Sequence, residues 1–117
     1  MEGRWTFPAG AMDPGETPAV AARREALEEA SIEIELVRIV GVFGGDPDFQ
    51  MTYPNGDEAA WVTTLFEAGI VDGVPQPGDD ETAEVRWVTT EEALDLDITP
   101  STRHMLDSIR TGRTFDP

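Results

Sequence analysis

Glu16, Glu25, Glu28 and Glu29 gather around Arg24 in the stretch GAMDPGETPAVAARREALEEASI, residues 10–32. Glu25, Glu28 and Glu29 fall at i, i+3 and i+4, a spacing that puts three carboxylates on one face of a helix. Glu16 stands just before that helix, and Gly10 and Gly15 bracket the loop leading into it. Like charges at this spacing destabilise an isolated helix by roughly 0.2–0.5 kcal/mol per pair. Hard divalent cations, which take oxygen ligands, offset such repulsion. A cation bridged by several glutamates polarises a phosphoryl oxygen, lowers the pKa of bound water and orients a nucleophile. Arg24 lies one turn before Glu28 and can hold it, or Glu16, by a charge-assisted bond that fixes the ligand geometry.

The elements that must position these residues are legible from local chemistry. Residues 4–7 read as a short strand stopped by Pro8, and residues 8–16 as a Gly/Pro loop. Thr17 is a good N-cap and Pro18 suits the first helical position, so a helix is expected over residues 18–30. On its wheel Ala19, Val20, Ala26, Leu27 and Ala30 lie away from the glutamates and are expected to pack on a sheet. Arg23 falls inside that apolar arc and must snorkel to solvent. Residues 33–43, EIELVRIVGVF, carry β-branched residues in loose alternation and read as a strand. Asn55-Gly56 is a strong hairpin signal, predicting strands over residues 49–53 and 60–70. A loop over residues 73–80, a short strand over 84–89, a helical turn over 91–96 and a last helix from Thr99-Pro100 to just before Gly112 complete the pass. This order describes an α+β layered domain.

Composition narrows the function classes. The 117 residues make one domain, 39% apolar, with Trp5, Trp61 and Trp87 among them, the last two expected in the core or on a sheet face. No apolar run approaches the roughly 20 residues of a membrane span, and there is no signal-peptide pattern. Cysteine is absent, which removes disulfides and thiolate metal sites and fits a cytoplasmic protein. The net charge of −16 comes from 24 acidic residues against 8 arginines, with no lysine. That field repels nucleic acids and anionic membranes, so no partner of either kind is expected. A polyphosphate has to arrive with metal. Asp79, Asp80 and Glu81 read as loop charges, and His104, the one histidine, as a surface or helix-packing residue.

The same residues resemble the signature of the Nudix hydrolases, G-x5-E-x7-R-E-U-x-E-E-x-G-U with U aliphatic. Gly10 opens the pattern, Glu16 follows after five residues, and Arg24-Glu25 after seven more. Ala26 takes the first aliphatic place, Glu28-Glu29 the acidic pair and Ile32 the last. Ser31 is the one departure, standing where the family has a glycine that ends the helix with positive φ. Serine there costs on the order of 1 kcal/mol or shifts the cap.

The resemblance implies an α/β/α sandwich around a mixed sheet, as one domain over residues 1–117. It implies hydrolysis of the pyrophosphate bond in a nucleoside diphosphate linked to another moiety, with Mg²⁺ or Mn²⁺. Glu25, Glu28 and Glu29 would be ligands, with Glu16 close by or acting through water, and the loop carbonyls at Gly10 a further one. Arg24 would orient the carboxylates, and Glu81 or Glu84 would assist as base or extra ligand. Tyr53 and Phe49 are candidates for stacking on a nucleobase. Pro47, fifteen residues past Ile32, favours ADP-ribose or a similar substrate, with a nucleoside triphosphate close behind. A domain that binds and senses a nucleotide without cleaving it is the alternative. Only nine residues precede Gly10, so the sheet is N-terminally short. Its uncovered edge leads us to expect a homodimer or an exchanged strand.

Overall fold

The first helix begins where residue chemistry dictates. Thr17 stays extended and its Oγ1 accepts the Val20 N–H, while Pro18 takes the first helical position of α1, Pro18–Ala30. The computed structural model describes residues 3–45 and 47–117. Their contacts gather into two units: Thr6–Arg38 with Glu67–Thr89, and Met1–Trp5 with Ile39–Phe66 and Thr90–Pro117.

In the first of these, α1 ends at Ser31 (φ 60°, ψ 30°), whose N–H returns to the Leu27 carbonyl at 3.1 Å. Among the described residues Ser31 is the one non-glycine with positive φ, the conformation expected of the glycine it replaces. Ala26 and Ala30 are buried with Ile32, and Ile34 and Val85 pack against them. Small alanines, not the larger apolar residues of the helix, make this core. Val20 and Leu27 were expected to pack as well, but they are 47% and 57% exposed. They line an open groove of about 370 Å³ with Arg23, Arg24, Glu33 and Ile34.

Two long strands, β1 (Glu33–Phe43) and β4 (Thr63–Asp72), pair as a two-stranded sheet. Within this unit Arg38 Nε reaches Glu67 Oε1 at 3.3 Å. The strand expected over residues 84–89 forms no ladder among the described residues, and Trp87, expected to pack, is 70% exposed. Val85 packs against the alanine core, while Trp87, two residues on, does not follow it inward.

The other unit holds the hairpin. β2 (Gln50–Thr52) and β3 (Glu58–Ala60) are antiparallel, with Met51 opposite Ala59. Asn55 Oδ1 accepts the Asp57 N–H at 3.0 Å, and Gly56 supplies φ +92° at the turn. The return strand expected over 60–70 is two elements. β3 completes the hairpin, Trp61 donates to the Phe49 carbonyl at 3.1 Å, and β4 then leaves to pair with β1. Trp61 is 39% exposed. The expected strand at 4–7 is reduced to one parallel bridge, Trp5 to Ile98.

α2 (Thr90–Leu94) packs on α3 (Pro100–Thr111), which Thr99 caps and Gly112 closes at φ 76°. Phe43 and Phe49 are the largest fully buried side chains, and both meet the His104 ring edge to face. The class is α+β, as expected, with pairing among the described residues distributed over two two-stranded ladders and the parallel bridge. Among the described residues no helix is long and apolar enough to cross a membrane.

Candidate active site

Arg24 is the hub of the acidic helix. Its Nε and Nη2 form a fork on Glu16, at 2.7 and 2.9 Å to the two carboxylate oxygens. Nη1 donates to Glu25 at 2.7 Å and to Glu28 at 3.2 Å, and Nη2 also donates to the Ala11 carbonyl at 3.0 Å. One planar guanidinium therefore ties the loop before α1 to two successive turns of the helix, a task that suits the rigid donor fork of arginine. Glu16 is fixed from the other side by the Asp13 N–H at 2.7 Å.

These bonds set the charges. The Arg24 fork, helped by the Asp13 amide, holds the Glu16 carboxyl down at about 2. Glu16 and Glu25 in turn raise Arg24 further above its already high value. Glu29 moves the opposite way, to about 7, first because it is partly buried and then because its carboxyl hydrogen-bonds that of Glu25. The Ala9 N–H at 3.2 Å offsets part of this. Two carboxyls in contact need a shared proton or a cation between them.

Gly10 lies against the Glu25 carboxylate so closely that any side chain there would overlap it. A side chain at the glycine that opens the motif would have to displace the Glu25 carboxylate from this position. The donor set of hard carboxylate oxygens fits Mg²⁺ or Mn²⁺. Among the described residues no group of three acidic or imidazole side chains is placed to hold a metal ion. Glu16, Glu25 and Glu28 turn their oxygens to Arg24 instead, because it is the cation within reach.

The remaining candidates take no part in the Arg24 bonds. Glu81 is exposed, and its N–H donates to Asp79 Oδ1 at 3.2 Å. Glu84 pairs with Arg86 at 3.4 Å. Tyr53 belongs to the hairpin unit and is 46% exposed. Phe49, expected to offer a face to a base, is buried at 1% exposure against His104 and has no open face to offer. Sequence reading named the Ala9–Gly10 carbonyls but passed over Ala11 and Asp13, whose roles lie in backbone groups or a short acid. It also took residues 73–80 for an ordinary loop. In the structure Gln76 and Gly78 donate to the last carbonyls of α1, and Asp79, read as a solvated charge, turns the chain by accepting the Glu81 and Thr82 amides.

An α+β domain with a carboxylate cluster organised by one arginine on one helix is the class that fold and site define. The chain matches the profile of the NUDIX domain over residues 1–109, and it belongs to that family. It is 33% identical over 121 residues to a Mycobacterium tuberculosis protein named "Putative 8-oxo-dGTP diphosphatase 3", covering 98% of this chain and 51% of that one. A Bacillus subtilis protein named "Putative 8-oxo-dGTP diphosphatase" is 32% identical over 92% of this chain and 64% of its own length. The chain therefore spans about half to two-thirds of these relatives. The crystal structure of a NUDIX hydrolase from Nitrosomonas europaea superposes with a TM-score of 0.61 at 26% identity, over 98% of this chain and 61% of that one.

Proposed function

We propose that the chain hydrolyses the pyrophosphate bond of a nucleoside diphosphate linked to another group, as a single domain over residues 1–117 acting in the cytoplasm with Mg²⁺ or Mn²⁺. The observation that carries this reading is the Arg24 hub, which bonds Glu16, Glu25 and Glu28 at once while Glu25 contacts Glu29. Glu25, Glu28 and Glu29, with Glu16 and the loop carbonyls at Gly10, are the residues that would hold the cation. Bound there, a divalent cation supplies charge neutralisation for the pyrophosphate and a more acidic water.

Arg24 keeps the carboxylates in register, and Glu81 is the residue proposed to take a proton from the attacking water. The names of the relatives favour a nucleoside triphosphate with an oxidised purine as the first substrate class. The offset of Pro47 from Ile32 supports ADP-ribose as the second. A homodimer is the proposed assembly, since β1 carries Val37 and Ile39 at 61% and 58% exposure.

Incubation with Mg²⁺ and a panel including 8-oxo-dGTP, dGTP and ADP-ribose, read by chromatography, tests the reading. The expected products are a nucleoside monophosphate and a phosphorylated partner, formed at a rate that Glu28→Gln and Glu29→Gln each reduce by roughly 10²-fold or more. Turnover unchanged in both variants would overturn the site. Saturable binding without turnover would establish the sensing alternative instead.

A further inference from the structure

We propose that residues 73–80 form a clamp that positions Glu28 and Glu29, with Gly78 as its fixed point. The inference rests on the carboxylate site proposed above and adds a positioning role remote in sequence from the motif.

The last carbonyls of a helix have no partner within it and must find one elsewhere. In α1 the carbonyls of Ala30 and Glu29 accept the Gln76 and Gly78 amides at 3.0 and 3.1 Å. Gly78 also sits so tightly on the Glu28 carbonyl that a Cβ would overlap it, and that Cβ would stand 2.9 Å from Ser31 Oγ. Gly73, at φ +94°, presses on the next step: a Cβ there would lie 2.5 Å from the Ser31 carbonyl. Four consecutive residues, Glu28 to Ser31, are thus held from one side by one loop. Two of them carry the carboxylates of the acidic pair.

The loop is fixed at its far end too, because Asp79 Oδ1 accepts the Thr82 and Glu81 amides at 2.8 and 3.2 Å. The clamp answers a particular weakness. Ser31 holds a left-handed conformation that glycine would adopt without strain. The final turn of α1 therefore relies on partners from outside the helix. Loosening them lets the Glu28 and Glu29 side chains shift, and misplacement of about 1 Å in a supporting shell costs as much as 10²-fold in rate.

The test uses Gly78→Ala, which forces the loop off the Glu28 carbonyl, and Gln76→Pro, which removes one amide and adds nothing near Glu28. Mn²⁺ affinity by electron paramagnetic resonance, kcat and KM on the nucleotide cleaved by the parent, and thermal melting without metal are the readouts. Gly78→Ala is expected to lose roughly 10- to 100-fold in both Mn²⁺ affinity and kcat, as changes around a metal shell do, with KM nearly unchanged. Gln76→Pro should lose less, in the same direction. Adding Ser31→Gly to Gly78→Ala should restore the melting temperature but not kcat or Mn²⁺ affinity.

A folded Gly78→Ala protein with the Mn²⁺ affinity of the parent overturns the clamp, whatever the parent hydrolyses. Recovery of kcat along with melting temperature in the double variant also overturns it, since the role would then be stability alone. If Gly78→Ala does not fold, Gln76→Pro decides by the same criteria. A parent that binds Mn²⁺ yet cleaves nothing removes the proposed hydrolysis and leaves the Mn²⁺ measurement to judge the clamp.

Discussion

Two nitrogen-bearing side chains in this acidic chain, Arg24 and His104, sit among carboxylates, and they do so differently. Arg24 meets Glu16, Glu25 and Glu28, which come from one helix and the loop before it. His104, in the other unit, has Nε2 at 2.6 Å from Asp116 and Nδ1 at 3.3 Å from Asp48, while Phe43 and Phe49 pack against its ring. Arg24 organises residues near in sequence around a permanent charge. His104 joins segments far apart in sequence, and imidazole is a side chain whose charge follows the proton concentration. Arg24 gathers the carboxylates of the proposed site, whereas His104 ties two aromatic rings and two aspartates together within its unit.

Replacing each hub in turn should break the comparison in opposite directions. Arg24→Ala is expected to lower kcat/KM by roughly 100-fold on the preferred nucleotide, the scale seen when the partners of metal ligands are removed. Arg24→Lys should recover little, because the two-pronged contact to Glu16 needs a fork. His104→Ala should leave kcat/KM within about twofold while lowering stability by about 1–2 kcal/mol, from two lost ring contacts and a charge-assisted bond. Urea unfolding alongside initial rates checks both. A His104 variant that loses turnover at full stability would merge the two roles.

Acid should sharpen the same contrast. Asp116 is held below its usual value by the hydrogen bond to His104. A depressed carboxylate contributes stability above its unfolded pKa and loses it as pH falls through the folded one. Glu16 behaves alike, between its ordinary 4.5 and about 2. Urea midpoints of Asp116→Asn and the parent should therefore differ most near neutrality and converge as pH drops below about 4, the range of an unfolded aspartate. A gap independent of pH would place the Asp116 contribution in packing.

The smallest effect concerns the helix end. Ser31→Gly should raise stability by about 0.5–1 kcal/mol through relief of the positive φ, measured by the same urea titration.

Local chemistry was the legible part of this molecule. Thr17, Pro18 and an alanine-rich run give α1 its bounds, Asn55-Gly56 its turn, and the spacing from Gly10 to Ile32 the carboxylate cluster, because each depends on neighbours a few residues away. What depended on distant partners was not legible. Residues 84–89 have the composition of a strand, yet they form no ladder among the described residues, and Val85 packs on the alanine core while Trp87 stays outside. Phe49 reads as an aromatic beside a hairpin, and only the approach of His104 on α3 makes it core. The motif specifies which carboxylates gather, while Arg24 sets where the oxygens of Glu16, Glu25 and Glu28 point.

The Pro75-Gln76-Pro77-Gly78 run also bears on solubility. Proline has no N–H to give, so this run can donate only through Gln76 and Gly78, and both amides are already committed to α1. Such a run offers no free backbone amide to a foreign strand, which makes it a poor template for edge-to-edge association. The loop that holds the end of the helix spends its backbone donors within the chain.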